Sequence, residues 1–87
     1  KVRIVGAIGD DFEGAQIRRL LWDIGIDSSQ GLIACDKPTT TKTRIIAMSQ
    51  QIVRLDREDS FKLEERKEFI RFLRSAIEES DVVILSD

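Results

Sequence analysis

Two segments carry the 3.6-residue apolar period of a helix, and each lies between short β-rich runs; this alternation constrains the fold more than any other feature. In the first segment Ile17, Leu20, Leu21 and Ile24 share one helical face, with Arg18, Arg19 and Asp23 largely off it. The second covers 63–79, where Leu63, Ile70, Leu73 and Ile77 repeat at helical spacing beside Phe69 and Ala76. Strands are expected over 1–8, around Leu32-Ile33-Ala34-Cys35, and at Val82–Leu85, whose unbroken apolar run suits an interior parallel strand. The order strand, helix, strand, hairpin, helix, strand predicts an α/β architecture.

Local punctuation places the boundaries. Gly6 and Gly9 mark the end of the first strand, and Asp10 or Asp11 is suited to cap the helix that follows. Gly25 stops that helix, and Trp22 within it is expected to be partly in the core. Pro38 ends the second strand. The β-branched stretch Thr39–Ala47, the polar break Ser49-Gln50-Gln51 and the run Ile52–Asp56 read as a β-hairpin. A turn of two residues or of three would change which side chains share a face, so the pattern leaves the register open.

Composition excludes several function classes. A net charge of -2, from 14 basic and 16 acidic residues, provides no cationic field for nucleic acid. With one Trp, no Tyr and four Phe, the chain also lacks a stacking platform for single strands. One Cys and no His leave the usual zinc ligand set missing, so no metal site is expected. Cys35 has no intrachain partner and suits a reduced, cytoplasmic setting. No apolar run reaches the ~18 residues of a membrane span, so no membrane partner is expected. The 87 residues suffice for one small domain. The chain opens inside a strand pattern and closes just past another, which predicts a segment of a longer polypeptide, marginally stable alone.

Three places could carry chemistry. The Gly-rich turn Gly6-Ala7-Ile8-Gly9-Asp10-Asp11-Phe12-Glu13-Gly14 could bring backbone N–H groups to a phosphate. It is neither G-x-G-x-x-G nor a P-loop, and its paired carboxylates would repel an anion. An Asp-capped helix packed close through glycines is the plainer reading. The second place is the hairpin, with Lys42, Arg44, Arg54 and Arg57. Lys42 and Arg44 stand two apart and therefore on one side of the strand in either register. They could hold a phosphorylated small molecule. The plainer alternative is a solvated face, with Arg54 or Arg57 pairing Asp56, Glu58 or Asp59 for ~0–1 kcal/mol. The third is Asp87, which follows the last apolar run, where ligands of open α/β sheets bind.

Gly9-Asp10-Asp11-x-x-Gly14, the helix after it, Gly25-Ile26-Asp27 and Pro38-Thr39 resemble the N-terminal half of ribokinase-like carbohydrate kinases. The stretch Pro38-Thr39-Thr40-Thr41-Lys42-Thr43-Arg44-Ile45-Ile46 is more specific, together with Gln50-Gln51 and Arg54-Leu55-Asp56-Arg57-Glu58. Within the family it is most similar to the kinases of D-glycero-β-D-manno-heptose 7-phosphate. The resemblance runs over essentially the whole chain and implies part of a three-layer sandwich with parallel strands, two amphipathic helices and a β-hairpin lid at about 39–57.

The resemblance further implies ATP- and Mg²⁺-dependent phosphorylation of a heptose 7-phosphate at its anomeric hydroxyl, serving ADP-heptose and lipopolysaccharide core synthesis. It places Lys42 and Arg44 at sugar-facing lid positions and Asp87 near a sugar contact. It also implies that lids pair into a homodimer. The family's catalytic Asp, its anion hole and most of its ATP site match nothing here, so no catalytic residue is assigned and the 87 residues alone are expected to be inactive and to bind no cofactor. Two other readings stand beside this one. One is a kinase of a neutral sugar or nucleoside, which would leave the Lys42 and Arg44 charges without a counter-charge. The other is a non-catalytic lid whose edge serves oligomerisation.

Overall fold

The computed structural model describes residues 1–58 and 66–86. β1 (Gly6–Gly9) leads through a tight turn into α1 (Phe12–Asp23), and the chain returns to β2 (Leu32–Cys35). β1 and β2 are parallel, with Gly6 opposite Leu32 and Gly9 opposite Cys35. Parallel neighbours need a crossover, and α1 supplies it. Ile8, Leu32, Ile33 and Cys35 are the buried apolar side chains of this βαβ unit. β3 (Thr41–Ala47) and β4 (Gln50–Arg57) form a separate antiparallel hairpin, and α2 (Lys67–Glu78) follows. The mixture is the α/β class expected of a ribokinase-like fragment.

The ends of α1 follow from local chemistry. Asp11 is the N-cap and accepts a hydrogen bond from Gly14 N. At the other end Gly25 takes φ +86. Gly25 N donates to Trp22 O at 2.9 Å and Ile26 N to Leu21 O at 2.8 Å. This pair of bonds is a Schellman closure, which a residue without Cβ adopts most cheaply.

Several expectations are corrected. The first strand covers only Gly6–Gly9, because only those residues have β2 alongside. Trp22 is 70% exposed, and Leu20 and Ile24 are exposed as well. A two-stranded sheet covers a narrow strip of a helix, so Ile17 and Leu21 alone of that face are half-buried. Arg18 lies toward the sheet rather than away from it. Its guanidinium donates to Leu32 O at 2.8 Å and to Ser28 O and Oγ at 3.3 Å. Val82–Leu85 is not a strand: Val82, Ile84 and Leu85 are 78%, 87% and 89% exposed. A run apolar on both sides needs paired neighbours and two covering layers, and none lies against it among the described residues.

The hairpin exists where expected, but its turn lies earlier than the polar break. Met48 and Ser49 both take positive φ, 52 and 64, and close a two-residue loop. Positive φ at both central residues matches the right-handed twist of the strands. Register then runs from Thr41 opposite Arg57 to Ile45 opposite Val53, and from Ile46 opposite Gln51 to Ala47 opposite Gln50. Ile52 is the extra residue of a bulge. The expected helix over 63–79 is present as Lys67–Glu78. Its expected start at Leu63, Glu64 and Glu65 lies outside the described residues, as does Asp59.

Candidate functional site

The Gly-rich turn is a structural junction. Asp11 Oδ1 accepts from Gly14 N at 2.8 Å and from Thr39 Oγ1 at 2.6 Å, while Oδ2 accepts from Thr39 N at 2.8 Å. Thr39 Oγ1 in turn accepts from Gly9 N at 2.8 Å. The amides of Gly9, Asp10 and Gly14 are therefore engaged by the chain itself. Asp11 is the cap left open between Asp10 and Asp11, and the plainer reading of the motif holds. The Asp11 carboxylate accepts three hydrogen bonds and serves to cap α1 and hold Thr39. No step of phosphoryl transfer is assigned to it.

Arg57 joins the junction. Its Nη2 lies 3.4 Å from Glu13 Oε2 and 3.8 Å from Asp11 Oδ2, and it donates to Thr39 O at 3.4 Å. Among the described residues Arg57 makes these contacts in place of the expected pairing with Asp56 or Glu58; Asp59 lies outside them. Thr39 precedes β3 and Arg57 ends β4, so both roots of the hairpin are tied to the start of α1. Exposed ion pairs contribute little; buried Thr39 carries the link.

The hydrogen bond from the Thr39 hydroxyl, then those from the Thr39 and Gly14 amides, and finally the charge of Arg57 hold the Asp11 carboxyl below its ordinary range. A carboxylate with a lowered folded pKa stabilises the protein above its unfolded value of about 3.9, and the contribution is lost as pH falls through the folded value. Below about pH 4, an Asp11→Asn variant is expected to lose stability less steeply than the wild type. Thermal unfolding followed as a function of pH checks this.

The hairpin's register settles the parity that the sequence left open. Lys42 faces Asp56 and Arg44 faces Arg54 across the strands. Directly opposed residues share a face, so Lys42, Arg44, Arg54 and Asp56 stand together. Thr41, Thr43, Ile45, Val53, Leu55 and Arg57 lie on the opposite face. Arg54 Nε is 3.4 Å from Asp56 Oδ2, which is the sequence's alternative pairing realised for this one residue. Lys42 and Arg44 are exposed and meet no carboxylate among the described residues. Asp87, the third substrate-contact candidate, lies outside the described residues.

Sequence reasoning did not single out Thr39 as a hub, because its partner Asp11 is 28 positions away. The parallel register of β1 on β2 brings them together, with Asp10 N continuing it by donating to Cys35 O at 3.2 Å. Among the described residues no group of three His, Cys, Asp or Glu gathers as a metal site. No helix among them is long and apolar enough to cross a membrane.

A parallel βαβ unit carrying a capped Gly-Asp-Asp turn, with a basic hairpin anchored to it, is consistent with the kinase class that the sequence resembles. The pfkB family carbohydrate kinase model matches residues 1–87, and the chain belongs to that family. It is similar to the bifunctional protein HldE of Helicobacter pylori strain J99, 47% identical over 89 residues that take in 100% of this chain and 19% of that protein. The bifunctional protein HldE of Helicobacter acinonychis strain Sheeba is 42% identical, again over 100% of this chain and 19% of its own length. That of Wolinella succinogenes is 38% identical over 84 residues, 94% of this chain and 18% of the relative. The chain thus spans about a fifth of the length of these curated relatives. No solved structure matches it.

Proposed function

We propose that this chain is the lid-bearing part of an ATP-dependent kinase that phosphorylates heptose 7-phosphate at its anomeric hydroxyl. The observation that carries the reading is the Lys42 and Arg44 pair, on one face of the hairpin and in no ion pair among the described residues, the one carboxylate opposite Lys42 being engaged by Arg54. The hairpin's similarity to the heptose 7-phosphate kinases supports the choice of sugar, and the match to HldE proteins over the whole chain is in keeping with it. A substrate that already carries a phosphate supplies the missing counter-charge; a neutral sugar does not. The lid would close over the sugar with its cationic face, and the 7-phosphate would fix the sugar's orientation. ATP, Mg²⁺ and the general base belong to the remainder of the polypeptide, since phosphoryl transfer needs charge, metal and an oriented nucleophile together. The product would feed ADP-heptose and lipopolysaccharide core synthesis in the cytoplasm, and Asp87 is proposed as a further sugar contact.

The test is ADP release by the full-length protein with ATP-Mg²⁺ and a panel of sugars. Turnover is expected with heptose 7-phosphate and not with ribose, fructose or a nucleoside. Efficient turnover of a neutral sugar would sink the 7-phosphate reading and keep the fold. A second role for the same hairpin has its own observation. Ile45, Val53 and Leu55 are 46%, 40% and 56% exposed on the face away from Lys42 and Arg44. That apolar face favours pairing of two lids in a homodimer, which could coexist with sugar binding on the other.

A further inference from the structure

The proposed function uses Lys42 and Arg44; a third cation on the same face is unassigned. Arg54 stands directly across from Arg44. Like charges directly opposed across two strands destabilise the sheet, and guanidinium groups keep their charge at any physiological pH. Within the paired residues of β3 and β4 the one carboxylate on this face, Asp56, engages Arg54 through Nε at 3.4 Å. The two terminal nitrogens of Arg54 have no hydrogen bond or ion pair among the described residues. Within the paired residues of β3 and β4 the face therefore has three cations and one carboxylate, a surplus of two positive charges.

Resting on the phosphate reading of the hairpin, we propose that Arg54 is a third phosphate ligand, which with Lys42 and Arg44 makes the lid selective for a phosphomonoester dianion. A phosphomonoester carries about -1.5 to -2 at neutral pH, which matches that surplus. The terminal nitrogens of an Arg form a fork that fits two oxygens of one phosphate, and Lys adds a point charge. Asp56 engages Arg54 by Nε, which leaves that fork without a partner among the described residues. The Arg44–Arg54 repulsion makes the empty face less favourable than the filled one. Closing the lid on a neutral sugar would bury the repulsion unrelieved, so discrimination arises from the empty site as well as from the contacts made.

The experiment compares Arg54→Gln, Arg54→Lys and Arg44→Gln with the wild type in the full-length enzyme. It measures KM and kcat for the sugar 7-phosphate, competitive inhibition by inorganic phosphate, and Tm without substrate. Arg54→Gln is expected to raise KM by about 10- to 100-fold, the range of a lost hydrogen bond to a charged group. Inhibition by inorganic phosphate should weaken in parallel, with kcat little changed. Its unliganded Tm should hold or rise, since a like-charge contact is removed, and Arg54→Lys should recover part of the KM. Normal KM in Arg54→Gln with a raised KM in Arg44→Gln overturns the role of Arg54 and leaves the hairpin's phosphate site standing. Normal KM in both overturns the phosphate reading itself. A fall in kcat and Tm with KM unchanged makes Arg54 a structural residue and also overturns the proposal.

Discussion

The double variant Lys42→Ala, Arg44→Ala in the full-length protein is expected to raise KM for heptose 7-phosphate by about 10³-fold, with kcat changed far less. Each charge-assisted hydrogen bond is worth about 1.5–3 kcal/mol, and a factor of ten corresponds to about 1.4 kcal/mol. Two such losses span roughly 10²- to 10⁴-fold, and the centre of that range is the expectation. The effect falls on KM because the 7-phosphate is remote from the anomeric hydroxyl and is held equally in ground and transition states. Folding should survive, since both side chains are exposed and make no hydrogen bond among the described residues. The single variants should each fall short of the double. An unchanged KM combined with loss of a dimer in light scattering would transfer the hairpin's role to assembly.

The contrast between the hairpin and the helix it is tied to shows what is legible in the sequence. The start and stop of α1 could be read because both are local. Asp11 reaches Gly14 three residues on, and Gly25 alone supplies the left-handed closure. β2 was legible for the same reason, as a short apolar run before Pro38. The hairpin was legible as an element, but its face was not. Its turn uses Met48 and Ser49, neither a typical left-handed residue, and the bulge at Ile52 shifts the pairing by one. Lys42 and Arg44 escape this ambiguity because residues two apart share a side in any register. Arg54 does not escape it: its place opposite Arg44 depends on the register itself. Thr39 and Arg18 were missed because their partners are set by the packing of α1 on the β1–β2 sheet, which no local pattern encodes. The Val82–Leu85 run carries the signal of a paired interior strand, and that signal depends on neighbours it lacks among the described residues.

Gly14→Ala provides a test in which two physical effects predict opposite signs. Gly14 lies in the first turn of α1, where helix propensity alone favours Ala over Gly by about 1 kcal/mol. Close packing predicts the reverse. A Cβ at Gly14 would fall onto the Gly9 carbonyl oxygen, with Asp11 Oδ1 at 3.1 Å and Thr39 Oγ1 at 3.3 Å. The obstacle is backbone, not the end of a flexible chain, so β1 and α1 must separate to admit it. Overpacking typically costs about 1–3 kcal/mol, and a clash with backbone that cannot turn aside belongs at the upper end of that range, which exceeds the propensity gain. Separation would also strain the bonds of Thr39 to Asp11 and Gly9, and with them the anchor of the hairpin. The net expectation is a loss of about 2 kcal/mol, read as a fall in Tm of the full-length protein of roughly 5 °C. KM for the sugar phosphate should rise as well, because the lid's root shifts with the junction. Thr39→Val separates the two consequences. It keeps the volume, leaves Gly9 N without its acceptor and takes a donor from Asp11, at a cost of about 1–3 kcal/mol. If Gly14→Ala instead raises Tm, the propensity effect has won, and the close approach of α1 to β1 cannot be what anchors the lid.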